Sequence, residues 1–247
     1  SWNFSRDGRS WSQVAVPHDW AISGPFDKKW DLQMVAIEQN GEKEKTEKSG
    51  RSGALPWIGE GMYKMNLQLP KGYKRAVLVF DGAMSQPVVS VNGKEAGRWA
   101  YGYNAFRIDI TPYVKFGGKK NLVEVHLNNV EESSRWYPGG GLYRPVSVEL
   151  YGNENLSTWD TFVRTLKADK QEAEVEVNAL LEGKIGKSGK TVIALLDEAG
   201  TKVAEQTISG ATPAIKTTLK VANPQLWSPE SPYLYQVKLT RYEGKKV

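Results

Sequence analysis

Three stretches of this 247-residue chain concentrate the side chains that could do chemistry. "VPHDWAISGPFD" carries His18, Asp19 and Trp20. "GALPWIGEGMY" carries Trp57 and Glu60. "SRWYPGGGLYR" carries Ser134, Arg135, Trp136 and Tyr137 ahead of three consecutive glycines. Flat aromatic rings beside a few polar groups suit a ligand with apolar C–H faces and many hydroxyls, which is to say a sugar. The same rings could equally cap the open ends of a β-sandwich, with glycine wherever two backbones approach closely. Taken one stretch at a time, the packing account is the simpler of the two.

Other chemistries fit poorly. A phosphate-binding glycine loop joins a strand to a helix N-terminus, whereas "LYRPVSVEL" after the glycines reads as a strand. With no cysteine, thiolate nucleophiles, disulfides and Cys-based metal sites are excluded. The two histidines are His18, in a loop, and His126, in an alternating segment, which is too few for a His-based metal cluster, and no cofactor is implied. No nucleophile elbow is present. Glycoside hydrolysis needs two carboxylates about 5–9.5 Å apart. Asp19, Asp27, Glu60, Glu131 and Glu132 are all loop carboxylates, but their spacing singles out no acid–base couple. The net charge of +5 comes from 33 basic and 28 acidic residues. Lys43, Lys45 and Lys48 alternate with Glu42, Glu44 and Glu47 and form no basic stripe, so nucleic acid is not an expected partner. No apolar run approaches the ~20 residues of a membrane helix, and none reads as a signal peptide.

The elements that must position these loops read as strands. "YKMNLQL" sends Tyr63, Met65, Leu67 and Leu69 to one face, a period of two. "AVLVF" from Ala76 reads as a fully buried strand. Asn92-Gly93 between β-formers is a strong hairpin signal, because both positions want positive φ. "FRIDI", "LVEVHL" and "VSVEL" alternate again, and helix-period segments are essentially missing. Residues 1–153 are therefore expected to form a jelly-roll β-sandwich with long loops. Of nine tryptophans only Trp159 and Trp227 lie beyond Gly152. There the strands become short and regular: "TFVRTL", "AEVEVNALL", "TVIALL", "KVAEQT", "IKTTLKV", "LYQVKL". Residues 154–247 predict a small immunoglobulin-like sandwich without a disulfide, for an all-β chain of two domains.

In order, "VPHDWAISGPFD", "GEGMYK", "VNGKEAGRWAYGYNAFRIDIT", "NLVEVHLNN", "SRWYPGGGLYRPVSVEL" and "PQLWSPESPYLYQVKL" resemble the start of glycoside hydrolase family 2 enzymes, most of all β-galactosidases of Bacteroides-like bacteria. The resemblance spans nearly the whole chain. It implies a jelly-roll sugar-binding domain (galactose-binding-like), an immunoglobulin-like domain, and a following (β/α)8 barrel with two catalytic glutamates that is absent from this chain, so that this portion alone is expected to be inactive. It further implies that loops around His18, Asp19, Trp20, Trp57, Glu60 and Ser134–Tyr137 shape a pocket for a β-galactoside together with the barrel, that the full enzyme can be a homo-oligomer, and that it acts in the periplasm or as a secreted protein after loss of a leader. β-Glucuronidases and β-mannosidases share both domains, and a free-standing carbohydrate-binding module or an adhesion-type sandwich pair are the alternatives. One position departs from the pattern. Where well-known members carry an Asp two residues before the loop tryptophan, this chain has Ser134, with Glu131 and Glu132 close by in sequence. The segment from Lys28 to Ser52 resembles an insertion of the Bacteroides-type enzymes.

Overall fold

A computed structural model describes residues 1–31, 54–131, 134 and 136–244. Most of the Lys28–Ser52 segment, with its Lys/Glu run, lies outside these residues, as do Glu132 and Arg135. Among the described residues there is no α-helix, and no helix is long and apolar enough to cross a membrane. The chain divides into two compact units, Ser1–Leu150 and Tyr151–Val247. The compositional shift at Gly152 falls just past that division.

The first unit is a jelly-roll sandwich of two sheets. One holds, in spatial order, β2 (Ser12–Val14), β1 (Trp2–Ser5), β3 (Glu60–Gln68), β8 (Lys120–Asn128), β5 (Val88–Val91) and β6 (Lys94–Arg98). The other holds β7 (Phe106–Asp109), β4 (Arg75–Phe80) and β9 (Val146–Tyr151). The period-two pattern of β3 is realised: Tyr63 is buried, and Met65 and Leu67 pack partly buried against the core. All of Ala76 to Phe80 is buried, because β4 is the central strand of its sheet. Phe80 pairs with Phe106 in register, and their rings stack at 4.7 Å. Each large side chain buried in this way contributes about 1.5–3 kcal/mol. Asn92 and Gly93 both take positive φ, 52° and 78°, and turn β5 into β6. Asn92 also donates from Nδ2 to Tyr113 O at 2.8 Å, so the turn is tied to a neighbouring loop.

The second unit is an immunoglobulin-like sandwich. Its four-stranded sheet centres on β12 (Glu172–Gly183), which pairs with β10 (Glu154–Leu156), β11 (Phe162–Ala168) and β15 (Ala214–Ala222). The three-stranded sheet runs β14 (Lys202–Ser209), β13 (Gly189–Leu196), β16 (Gln236–Glu243). Val177, Leu181, Ile193, Leu195, Ile215 and Leu219 form its core. The alternation "EAEVEV" leaves a row of glutamates on one face of β12. Glu176 accepts from Asn178 at 3.0 Å and pairs with Lys216 at 3.0 Å and Arg164 at 2.9 Å. Those three partners, Asn178 first, hold its carboxyl down to about 2 from an ordinary 4.5, against an opposing cost of burial. A depressed carboxylate stabilises the fold above its ordinary value and loses that contribution as pH falls toward the depressed one. We therefore expect Glu176→Gln to flatten the loss of thermal stability between pH 4.5 and about 2 and to leave the profile's shape unchanged above it. Thermal midpoints measured across that window check this.

Candidate functional site

The residues singled out in the sequence sit on three loops of the first unit, and the backbone ties those loops to one another. His18 N donates to Leu142 O at 2.7 Å and Trp20 N to Gly140 O at 3.1 Å, joining the first loop to the third. Asp27 N donates to Leu55 O at 3.0 Å, joining the first to the second. Asn129 closes the circuit: its N–H donates to Gly59 O, and its Nδ2 to Gly139 O, each at 3.0 Å. Loops bonded around a full circuit in this way cannot shift singly without leaving buried backbone groups unpaired.

Two of the three glycines have a packing cause, and the first, Gly139, holds φ at +83° with room for a Cβ. A Cβ on Gly140 would stand 2.5 Å from Trp20 Nε1, and one on Gly141 only 2.2 Å from the Tyr63 hydroxyl. Gly141 also holds φ at +95°, a conformation that side chains resist. The third loop is thus pressed directly onto a buried aromatic cluster. Within it Trp20 stacks on Phe4 at 5.5 Å and on Tyr63 at 6.4 Å, and those two rings touch each other at 4.9 Å. Here the structure corrects the expectation from sequence. Trp20 is 0 % exposed and presents no face to a ligand, because Gly61 and Gly140 leave the space its indole fills. Trp57 is half-buried against Trp20 and beneath the Arg6 guanidinium, 4.8 Å from its ring, and packs rather than lines the surface depression described below.

Two polar pairs lie beside this cluster. His18 Nδ1 is 2.8 Å from the Tyr63 hydroxyl, which also reaches His18 O at 3.3 Å. Burial lowers the His18 pKa and Arg6 adds to that, while Asp19 opposes it, so the ring stays neutral to a lower pH than an ordinary histidine. Burial likewise raises the Tyr63 phenol well above its usual range. In the second pair the Tyr137 hydroxyl donates to Asp19 Oδ2, while Asp19 Oδ1 accepts from Ala21 N at 3.0 Å. The Tyr137 phenol is raised by burial first and by Asp19 second, so it remains a donor throughout the neutral range.

Trp136 stands in the open, 60 % exposed, edge-to-face on Tyr137 at 5.9 Å. The Ser134 hydroxyl donates to Trp136 O and steadies the same turn. Together with Ile22, Phe26, Ala54, Pro56 and Tyr137, Trp136 lines a depression of about 330 Å³ to which all three loops contribute. Sequence reasoning missed Ile22, Phe26 and Pro56. An isoleucine and a phenylalanine in a loop look like ordinary core residues, yet both are exposed, Phe26 beside its bridge to Pro56 and Asp27's bond to Leu55. Glu60 does not join the depression. Its Oε2 lies 3.1 Å from His126 Nε2, a pair on the β3–β8 sheet surface. Arg135 lies outside the described residues. Among those described, no three His, Asp or Glu side chains come together as a metal site.

A jelly-roll sandwich followed by an immunoglobulin-like one, with a depression walled by aromatic loops on the first, is what the family resemblance of the sequence implies. Comparison with known proteins agrees. Residues 155–247 match the family model for glycosyl hydrolases family 2. A putative β-glucuronidase of Formosa agariphila is 32% identical over 246 residues, covering 98% of this chain and 22% of that protein. A β-galactosidase of Bacteroides ovatus is 33% identical over 235 residues, covering 91% of this chain and 26% of that protein. A solved family 2 member from Bacteroides cellulosilyticus superposes with a TM-score of 0.74 at 30% identity, covering 99% of this chain and 34% of the other. The chain belongs to glycosyl hydrolase family 2, where it corresponds to the N-terminal region. It spans about a quarter of the length of the curated relatives it matches.

Proposed function

We propose that these residues are the non-catalytic N-terminal part of a retaining β-galactosidase, supplying scaffold and one wall of the substrate pocket to a catalytic barrel elsewhere in the protein. The observation that carries this is the exposed Trp136 in a depression built by three mutually bonded loops. A rigid, exposed aromatic face is what the C–H surface of a sugar or its aglycone packs against. The carboxylates singled out in the sequence support a structural part for this unit: Asp19, in a loop, is engaged by Ala21 and Tyr137, and Glu60, at the start of β3, by His126. Bond cleavage then falls to two glutamates outside the chain.

A second assignment, to a β-glucuronidase, is favoured by the relatives that carry that name at similar identity. The two differ in groups that recognise the glycone, and those belong to the barrel in this proposal. Incubating the purified chain with 4-nitrophenyl β-D-galactoside and β-D-glucuronide is the test. No turnover is expected, and calorimetric binding of galactosides no tighter than about millimolar, roughly 4 kcal/mol. Micromolar binding would replace the proposal with a free-standing carbohydrate-binding module, and hydrolysis would overturn it.

A further inference from the structure

We infer that Asp19 and Tyr137 are positioning residues that set the orientation of the Trp136 platform, a role that rests on the pocket-wall proposal above. Trp136 makes its ring contact through Tyr137, edge-to-face at 5.9 Å, and the Tyr137 ring is itself packed on the core. The far end of that ring is fixed by its hydroxyl bond to Asp19 Oδ2. Asp19 cannot swing away, because its other oxygen accepts from Ala21 N, in a segment that Trp20 N anchors to Gly140 O. The acid therefore crosses from the first loop to the third and locks the ring that the exposed indole contacts. Backbone bonds join the same two loops, but at residues 18, 20, 140 and 142. The Asp19–Tyr137 bond acts next to the platform. Ile22 and Phe26, which line the same depression, follow Asp19 in the same loop, so the bond also ties that part of the lining to the support of Trp136.

A free tryptophan at 60 % exposure samples several rotamers, whereas one held against a fixed ring presents its face ready for contact, and preorganisation of this kind shows in affinity. The role makes two separable demands. In the intact chain, with the Trp136 indole N–H resonance assigned by its loss in Trp136→Phe, Tyr137→Phe and Asp19→Asn should each shift and broaden that resonance and spare the indole signal of Trp227 in the second unit. In a full-length enzyme carrying these residues, each variant should raise KM roughly tenfold, the effect of losing a hydrogen bond to a charged group, with kcat retained. In a Trp136→Ala background, Asp19→Asn should have no further effect on KM. An unmoved Trp136 resonance in both variants overturns the inference whatever the kinetics. A moved resonance with an unchanged KM, and no effect of Trp136→Ala either, would keep the latch and sink the pocket-wall proposal instead. A KM effect of Asp19→Asn that persists in the Trp136→Ala background would show that Asp19 acts other than through Trp136.

Discussion

Replacing Trp20 by alanine is expected to cost the first unit about 3–5 kcal/mol, the loss typical of a large aromatic removed from a core. That is a large share of the 5–15 kcal/mol that holds most domains folded, so urea unfolding should show an early transition for this unit. The indole is fully buried, is stacked by Phe4 and Tyr63, and is walled by glycines that leave no room for another side chain to move in. Trp136→Ala, by contrast, should change stability by no more than about 0.5 kcal/mol, as is usual for an exposed position. Two tryptophans that look alike in sequence, each in an aromatic loop beside polar residues, thus separate by role. If Trp20→Ala unfolds at the same urea concentration as the parent chain, the packing assigned to Gly61, Gly140 and Gly141 is wrong.

The second large effect is expected in the other unit. Arg241 and Glu154 stand 87 residues apart in sequence, and their side chains are 7% and 6% exposed. Arg241 Nε donates to Glu154 Oε1 at 2.9 Å, and its other nitrogens reach Thr191 Oγ1, Gly186 O and Gly210 O. Gly189 is what lets the guanidinium in, since a Cβ there would lie 2.1 Å from one of its nitrogens. Burial pushes the Glu154 carboxyl up, but the Arg241 hydrogen bond, the Gly186 N–H and the Arg241 charge together outweigh it and hold the pKa below its ordinary value. Arg241→Met leaves a buried, uncompensated carboxylate and should cost about 3–5 kcal/mol. Adding Glu154→Gln should recover much of this, because the cost comes from the orphaned charge rather than from loss of an attraction. If the single variant is as stable as the parent, or the double variant is no better than the single, the pair is not the linchpin described.

Much of this architecture was open to reading from the chain. Tyr63, Met65 and Leu67 announce β3 by period, and Asn92-Gly93 announces a hairpin by backbone chemistry, since both signals are local. β1 was not legible. Four residues, Trp2–Ser5, are too short to show a period, and their strand exists because β3 and β2 flank it. The site was legible as a set of loops and illegible as a surface. Aromatic density marks where rings gather but not which ring turns inward, and Trp20 turns inward where Gly61 and Gly140, both distant from it in sequence, leave room for its indole. The Asp19–Tyr137 bond spans 118 residues, and nothing local in either stretch announces it.

The pocket-wall role is tested most directly in a full-length family 2 enzyme that carries these 247 residues, by steady-state kinetics with and without Trp136→Ala. A wall that contacts substrate predicts a rise in KM of about tenfold or more, on the scale of a partly buried aromatic contact, with kcat largely kept. Kinetic constants that do not change on removing the indole would contradict it.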